Sequence, residues 1–282
     1  MTAREFDALL LAFVENIVGL DAAPLAAGGR FETRHVIACN PQCPHPHLNH
    51  CLRFDGDGIV RDGGDINTTL DAVLGHLRTA RSGFRFMVTR FSTPLDLASR
   101  LEDRGGLVLD ERCPVLALRI RDILHAPPVQ VSPGYSIREA LTLADVSSVM
   151  RTVYDVFNTK PPVSVDACVE FYAANIGTKR YPALRIFAAW SEESATPVAT
   201  AVTWNHAGVL GVYNVATLAA HRRKGLARAV VAAALAAPAC KGGPAPCDVA
   251  VLQSSPDALS LYESLGFRVA DHWDIYIPPP TA

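Results

Sequence analysis

One order of chain features occurs twice in this sequence, and a duplication restricts the fold more than any single motif does. Phe84 to Arg90 is followed by STPLDLASRLEDRGGLVLDERCPVLALRI, and Val249 to Gln253 by SSPDALSLYESLGFRVADHWDIYI. Both read as a strand, a Ser or Thr, a proline, a short helix closed by glycine, and then two strands, with a one-residue shift in the helix. Thr93 or Ser255 serves as helix cap, and the proline after it is tolerated at the first helical position. The pattern predicts an internal duplication.

At 282 residues and 49% hydrophobic, the chain has enough apolar material for two ordinary cores. Ile123 to Pro133, ILHAPPVQVSP, is proline-rich and without periodicity, so it reads as the linker between a domain over 1–125 and another over 134–282. In the first, a helix runs to Gly19, strands lie near Phe31 to Ala38, Cys51 to Phe54 and Ile59 to Asp62, and a helix spans Ile66 to Arg81. In the second, a strand (Tyr135 to Glu139) and a helix (Ala144 to Asn158) precede strands at Leu184 to Trp190, Val198 to Trp204 and Val209 to Val215. There follow a helix (Gly225 to Ala237), a strand (Cys247 to Gln253), a helix (Pro256 to Leu265) and a strand pair (Phe267 to Ala270, Trp273 to Ile277). The predicted class is α/β of the α+β type, each domain a mixed, mostly antiparallel sheet flanked by helices.

Lys+Arg 26 against Asp+Glu 28 gives no global attraction to nucleic acid or an anionic membrane. The segment MTAREFDALLLAFVENIVGL carries acidic residues at helical spacing from its apolar ones, which marks an amphipathic helix rather than a signal peptide. No stretch is long and apolar enough to span a bilayer. Seven cysteines without regular pairing fit a reducing cytoplasm.

The most chemically loaded stretch is Gly211 to Leu235, GVYNVATLAAHRRKGLARAVVAAAL. It sets the turn Arg222-Arg223-Lys224-Gly225-Leu226-Ala227 between a strand and an alanine-rich helix. Backbone N–H groups at a helix start favour an anion, and small residues let a diphosphate approach closely. A nucleotide-like ligand is expected there.

With these segments laid out, the second half resembles the GNAT superfamily of acyl-CoA-dependent N-acyltransferases. The family's pyrophosphate signature is matched by Arg222, Gly225 and Ala227. Its later Asn-x-x-Ala-x-x-Leu-Tyr and Gly-Phe signature is matched by Ser255, Ala258, Leu261, Tyr262, Gly266 and Phe267, with serine at the asparagine position. The resemblance implies acetyl-CoA as cosubstrate and acetyl transfer to a primary amine in a ternary complex. It gives the backbone of Arg223, Lys224, Gly225, Leu226 and Ala227 to the diphosphate, with the Arg222 and Arg223 side chains adding charge. Val215 and Thr217 would hold the pantetheine arm through their backbone at a bulged strand, Ser255 would supply a further contact, and Tyr262 would be the general acid. The first half looks like a degenerate copy: it has no basic glycine turn, and its equivalent of Tyr262 falls at Arg100 or Leu101.

The glutamate many relatives carry on the strand before the turn is missing, since no carboxylate stands between Trp204 and His221. His206, or water held by Tyr213 and Asn214, is the candidate base. That absence also motivates the alternative of a non-catalytic acyl-CoA-binding or sensing protein. The Cys39, Cys43, His45, His47, His50, Cys51 loop carries soft ligands, but its spacing matches no common zinc finger and its prolines stiffen it for reasons that need no metal, so no metal is expected. That loop and residues Tyr154 to Pro162 are candidate walls of an acceptor pocket. GGPAPC at Gly242 lacks the Gly-Lys of a nucleotide P-loop, and Cys168 sits among apolar neighbours at helical spacing. Expected partners are a small-molecule or peptide amine, with no nucleic acid or membrane, and a homodimer is left open.

Overall fold

The computed structural model describes residues 7–14, 29–40, 49–80, 83–124, 129–157, 166, 184–237 and 247–279. In chain order these form helix α1 (7–14), strands β1 (Arg30–Glu32), β2 (Val36–Cys39) and β3 (His50–Phe54), helices α2 (Gly56–Arg61) and α3 (Ile66–Arg78), strand β4 (Arg85–Val88), helix α4 (Leu97–Asp103), strand β5 (Val108–Arg119) and helix α5 (Ile120–Leu124). The second half continues with β6 (Tyr135–Glu139), α6 (Leu143–Phe157), β7 (Leu184–Ser191), β8 (Pro197–His206), β9 (Val209–Thr217), α7 (Leu226–Ala236), β10 (Val249–Gln253), α8 (Leu259–Ser264) and β11 (Arg268–Ile277). Among the described residues no helix is long and apolar enough to cross a membrane.

The chain divides into two compact units, Met1–Asn16 with Val115–Ala270, and Ile17–Pro114 with Asp271–Ala282. This differs from a linear boundary in the proline-rich linker, of which residues 125–128 lie outside the described residues. The cause is visible in two long strands. The second part of β5, Val115 to Arg119, pairs antiparallel with β10, and the later part of β11, Asp274 to Tyr276, pairs antiparallel with β4. Each half of the chain therefore gives its last strand to the unit built mainly from the other half.

In the unit of Val115–Ala270, β6, β7, β8 and β9 pair antiparallel in sequence order, and β9 pairs parallel with β10. Its core gathers Leu116 and Leu118 of β5, alternate residues of β8 such as Ala199 and Ala201, Val230 and Leu235 of α7, and Tyr262 and Phe267. The alanines of α7 let its backbone lie close on β7 and β8, which a helix of larger side chains would not allow. The α1 residues Leu9, Leu10, Phe13 and Val14 are buried at helical spacing, as an amphipathic helix requires.

In the unit of Ile17–Pro114, β1, β2 and β3 pair antiparallel and β3 pairs parallel with β4. Leu70 and Leu74 of α3, Leu101 of α4, Phe54, Phe86 and Tyr276 fill its core. The two units repeat one order, strand, helix, parallel strand, short helix, long strand. In each the parallel ladder is brief, His50↔Arg85 and Cys51↔Phe86 in one, Leu210↔Ala250 and Gly211↔Val251 in the other.

Four local expectations are corrected. Ile59 to Asp62 is not a strand but the end of α2, because the Asp55 carboxylate caps that helix by accepting from Gly58 N–H at 2.9 Å. Phe31 to Ala38 is two strands, folded back where Thr33 Oγ1 accepts from Val36 N–H at 3.0 Å. The strand pair expected after each short helix is one strand, β5 or β11, since the polar residues read as a turn occupy exposed or half-buried strand positions. Thr93 accepts from Asp57 N–H at 3.0 Å and so serves α2, while α4 begins at Asp96; Ser255 begins the turn Pro256–Ala258 without a side-chain cap bond.

Candidate active site

The site grows from a place where β9 parts from β10. Their parallel ladder ends at Gly211↔Val251, whereas β9 stays paired with β8 as far as Thr217↔Ala199. From Val212 to Thr217 the ladder partner of the strand among the described residues is β8, and the parallel ladder with β10 does not extend to it. The β8 register shifts between Thr200 and Val202, opposite Ala216 and Tyr213, so β9 carries the extra residue of a bulge. Asn214 takes a left-handed φ of 50° there, and its carbonyl accepts from Thr200 Oγ1 at 2.7 Å. Val215 and Thr217 thus follow Asn214 on the stretch beyond the β9–β10 ladder. Val215 leans on the core, and the buried Thr217 Oγ1 makes no hydrogen bond among the described residues.

After β9 the chain makes a single 3₁₀ turn, Ala219–His221, and then the basic segment. Arg222 is extended, Arg223 is left-handed at φ 63°, and Gly225, the N-cap of α7, is left-handed at φ 72°. Gly225 offers no side chain to cap the helix, and a β-carbon on it would meet nothing within 4 Å. The start of α7 therefore lacks the side-chain oxygen that usually serves its first N–H groups. Arg222, Arg223, Lys224 and Gly225 are exposed, Ala227 is half-buried, and Leu226 is buried and anchors the helix in the core. Arg222 Nε donates to Thr217 O at 3.1 Å, which ties the turn to the end of β9.

Tyr262 stands on α8 with 5% of its surface exposed, its ring edge to face with Phe267 at 5.9 Å between centroids. Burial pushes its phenol above the ordinary tyrosine range. Val215, Leu218, Ala258 and Leu261 border the same core cluster, so the bulged strand and the tyrosine helix share one packing environment. Ser255, at the C-terminal end of β10, is exposed; its carbonyl accepts from Ser254 Oγ at 2.7 Å and from Ala258 N–H at 3.1 Å.

The other unit lacks both features at the matching places. Its helix α3 starts at Asp65, whose carboxylate accepts from Thr68 N–H at 2.7 Å and fills the helix start with the chain's own anion. The carbonyl of Arg100 accepts from Gly105 N–H and that of Leu101 from Leu107 N–H, around a turn like the one in which Tyr262 accepts from Phe267 N–H, and neither residue carries a phenol. Leu101 is fully buried and has no proton to give.

Of the candidate bases, Tyr213 and Asn214 lie at the bulge, half-buried. His206 closes the β8–β9 hairpin opposite Val209, five residues along β9 from Asn214 at the bulge, about 17 Å at the strand rise. The structure does not bring it to the site. Cys39, His50 and Cys51 are buried on β2 and β3, with the Cys51 thiol pushed up by burial. Cys43, His45, His47, residues 158–162, Cys168 and Gly242 lie outside the described residues.

Three residues that the sequence did not point to sit against the turn. Tyr135 contacts His221 and Lys224, and Ser132 contacts Lys224. The His221 contact spans 86 residues, so no local pattern carries it.

Residues 182–269, which contain the bulged strand, the turn and Tyr262, match the acetyltransferase (GNAT) domain family. Among curated proteins no match was found. The fold is similar to that of a GCN5-related N-acetyltransferase from Kribbella flavida, with a TM-score of 0.65 and 19% identity over 97% of this chain and 96% of that one. It is also similar to a tandem GNAT protein from the clavulanic acid biosynthesis pathway, with a TM-score of 0.60 and 12% identity over 95% and 88%. A GCN5-related N-acetyltransferase from Sphaerobacter thermophilus gives 0.56 and 18% over 80% and 69%. At such identities the likeness is one of fold, and it is the family match that speaks for acyl transfer. The segment that holds the bulge, the left-handed turn and Tyr262 is a GNAT acetyltransferase domain.

Proposed function

We propose that the unit of Val115–Ala270 transfers the acetyl group of acetyl-CoA directly to a primary amine. The observation that carries this reading is the run from the stretch of β9 beyond its ladder with β10, through Val215 and Thr217, into a helix start without a side-chain cap at Gly225. An extended amide-bearing arm fits the first and a diphosphate fits the second. The backbone of Val215 and Thr217 receives the pantetheine amides. The N–H groups from Arg223 to Ala227 receive the diphosphate, with Arg222 and Arg223 adding charge, and Ser255 lies across the gap at the end of β10.

In the reaction the amine nitrogen attacks the thioester carbonyl carbon, and the carbonyl oxygen carries the developing charge toward an N–H at the bulge. The intermediate collapses with cleavage of the carbon–sulfur bond, and the leaving thiolate takes the Tyr262 proton. The proton lost by the amine passes to water at Tyr213 and Asn214. A phenol kept protonated by burial suits an acid that must hold its proton until sulfur leaves. The acceptor is a small-molecule or peptide amine, and the setting is the cytoplasm, which suits seven cysteines without regular pairing.

Turnover of acetyl-CoA against a panel of amines tests the reading, with Tyr262→Phe beside the wild type. Loss of about 10²–10³ in kcat with CoA binding retained supports it. The competing reading, an acyl-CoA-binding protein without catalysis, is favoured by the absence of a carboxylate on β9. It holds if CoA binds and no amine accepts acetyl in either variant.

A further inference from the structure

Tyr135 is the first residue of β6, yet its hydroxyl stands between two residues of the basic turn. Lys224 Nζ donates to it at 2.8 Å, and His221 Nδ1 lies 2.9 Å from it. An ammonium can only donate, so the Tyr135 oxygen accepts from Lys224, and the same hydroxyl makes a second bond with His221 Nδ1 whose direction follows the imidazole tautomer. The Tyr135 and His221 rings meet edge to face with centroids 5.7 Å apart, and the ammonium lies 5.3 Å from the Tyr135 ring centroid. Ser132 Oγ adds a bond to Lys224 O at 2.6 Å.

These contacts bracket Arg223. Its φ of 63° is one that a β-carbon disfavours, and such a conformation persists only where its surroundings fix it. His221, two positions before it, and Lys224, directly after it, are both held by the single Tyr135 hydroxyl. The half-buried Tyr135 ring is itself packed against the core of its unit, so the clasp is referenced to the sheet rather than to the turn. The arrangement also redirects Lys224. Its ammonium is engaged with Tyr135, and the positive charge beside the start of α7 comes from Arg222 and Arg223.

We propose that Tyr135 is a positioning residue for the acyl donor: through Lys224 and His221 it holds the turn in the left-handed form that presents the α7 N–H groups to a diphosphate. It touches neither the acyl group nor the amine. The proposal rests on the acyl-CoA reading above.

The test uses the full chain and CoA as probe. Calorimetric titration is run on wild type, Tyr135→Phe, Lys224→Met and the double variant, with amide exchange of each free protein. Removal of the Tyr135 hydroxyl is expected to raise the Kd for CoA about fivefold to tenfold. Faster exchange is expected to be confined to residues 219–228, and the double variant is expected to bind no worse than about twofold below the weaker single one. A Kd for Tyr135→Phe within about twofold of wild type overturns the proposal, and so does exchange that quickens across the core of the unit, the mark of a merely structural residue. Additive losses overturn it as well, since they make the Lys224 ammonium a separate ligand of the diphosphate. A wild type that binds no CoA sinks the acyl-CoA reading and this proposal with it. A wild type that binds CoA as tightly as Tyr135→Phe sinks this proposal alone.

Discussion

Thr200 on β8 donates from its hydroxyl to the carbonyl of Asn214 on β9, at 2.7 Å, and so spans the point where β9 carries one residue more than its partner. Thr200 is fully buried, and the carbonyl it serves is turned out of the ladder by a left-handed residue. Thr200→Val keeps the shape and removes the donor. It is expected to cost about 1–3 kcal/mol in denaturant unfolding. On the proposed mechanism the same substitution is expected to lower acetyl transfer by about tenfold, because the N–H groups at the bulge lose the bond that orients them. Asn214→Gly, which suits the positive φ, is expected to fold normally, whereas Asn214→Val is expected to lose about 1–2 kcal/mol. Equal stability of the glycine and valine variants contradicts this account of the bulge.

The raised phenol of Tyr262 has a consequence at alkaline pH. Burial disfavours the phenolate, so the folded chain holds this proton to higher pH than the unfolded chain, whose tyrosines titrate near pH ~10. The associated stability is present below about pH 10 and is lost as pH rises past it. Chemical denaturation between pH 8 and 11 is expected to show wild type weakening near the upper end and Tyr262→Phe weakening less. Tyr276, raised by burial and by the nearby Glu102 and Asp274 charges, keeps the loss from vanishing altogether. On the proposed mechanism the rate shows no alkaline fall owed to Tyr262 below about pH 10, since the acid form persists throughout.

Acid acts on the other unit. The His35 ring lies between Asp55, 3.3 Å from Nδ1, and Asp62, 2.8 Å from Nε2. Burial works against the Asp55 charge, but Gly58 N–H, the Thr93 hydroxyl and His35 outweigh it and hold the carboxyl below its usual value. The bond with His35 lowers Asp62 likewise. Both carboxylates therefore stabilise the fold above their unfolded values near pH ~4, and the contribution disappears as pH falls through the lower folded values. Asp55→Asn and Asp62→Asn are expected to flatten the acid limb of unfolding followed by circular dichroism. A limb unchanged in both variants rules the cluster out as its source.

Gly225 separates two effects of a methyl group. At φ 72° alanine is strained, and the β-carbon enters open space rather than a neighbour. Gly225→Ala is expected to lose about 1–2 kcal/mol of stability. The methyl also projects at the start of α7, where the diphosphate would lie, so the Kd for CoA is expected to rise about tenfold or more in calorimetry. A stability loss with unchanged CoA affinity removes the helix start from the donor site.

What could be read from the sequence was local. Strands β6 to β9, helix α7 and the tyrosine helix have their period and turns within a dozen residues, and the turn Arg222 to Ala227 carries its own chemistry in its spacing. The clasp of Tyr135 on His221 and Lys224 was hidden because it joins the start of one strand to a turn far along the chain. Ile59 to Asp62 misled because apolar residues beside a charge resemble a short strand, while the deciding contact, Asp55 on Gly58, is a cap.

Strand exchange sets the last prediction. Fragment 134–282 contains the bulge, the turn and Tyr262 but lacks Val115 to Arg119, the strand that pairs with β10. It also loses Leu116, Leu118 and Ile120 from the core of that unit. At about 1.5–3 kcal/mol for each large apolar side chain withdrawn from water, the deficit rivals the whole stability of an ordinary domain. The exposed edge of β10 adds an aggregation site. Expressed alone, fragment 134–282 is expected to be insoluble or to lack a cooperative unfolding transition, and fragment 115–282 or co-expression with 1–125 is expected to restore one. If 134–282 alone unfolds cooperatively at the midpoint of the full chain, the linear boundary describes the folding unit and the exchanged strand contributes no stability to it.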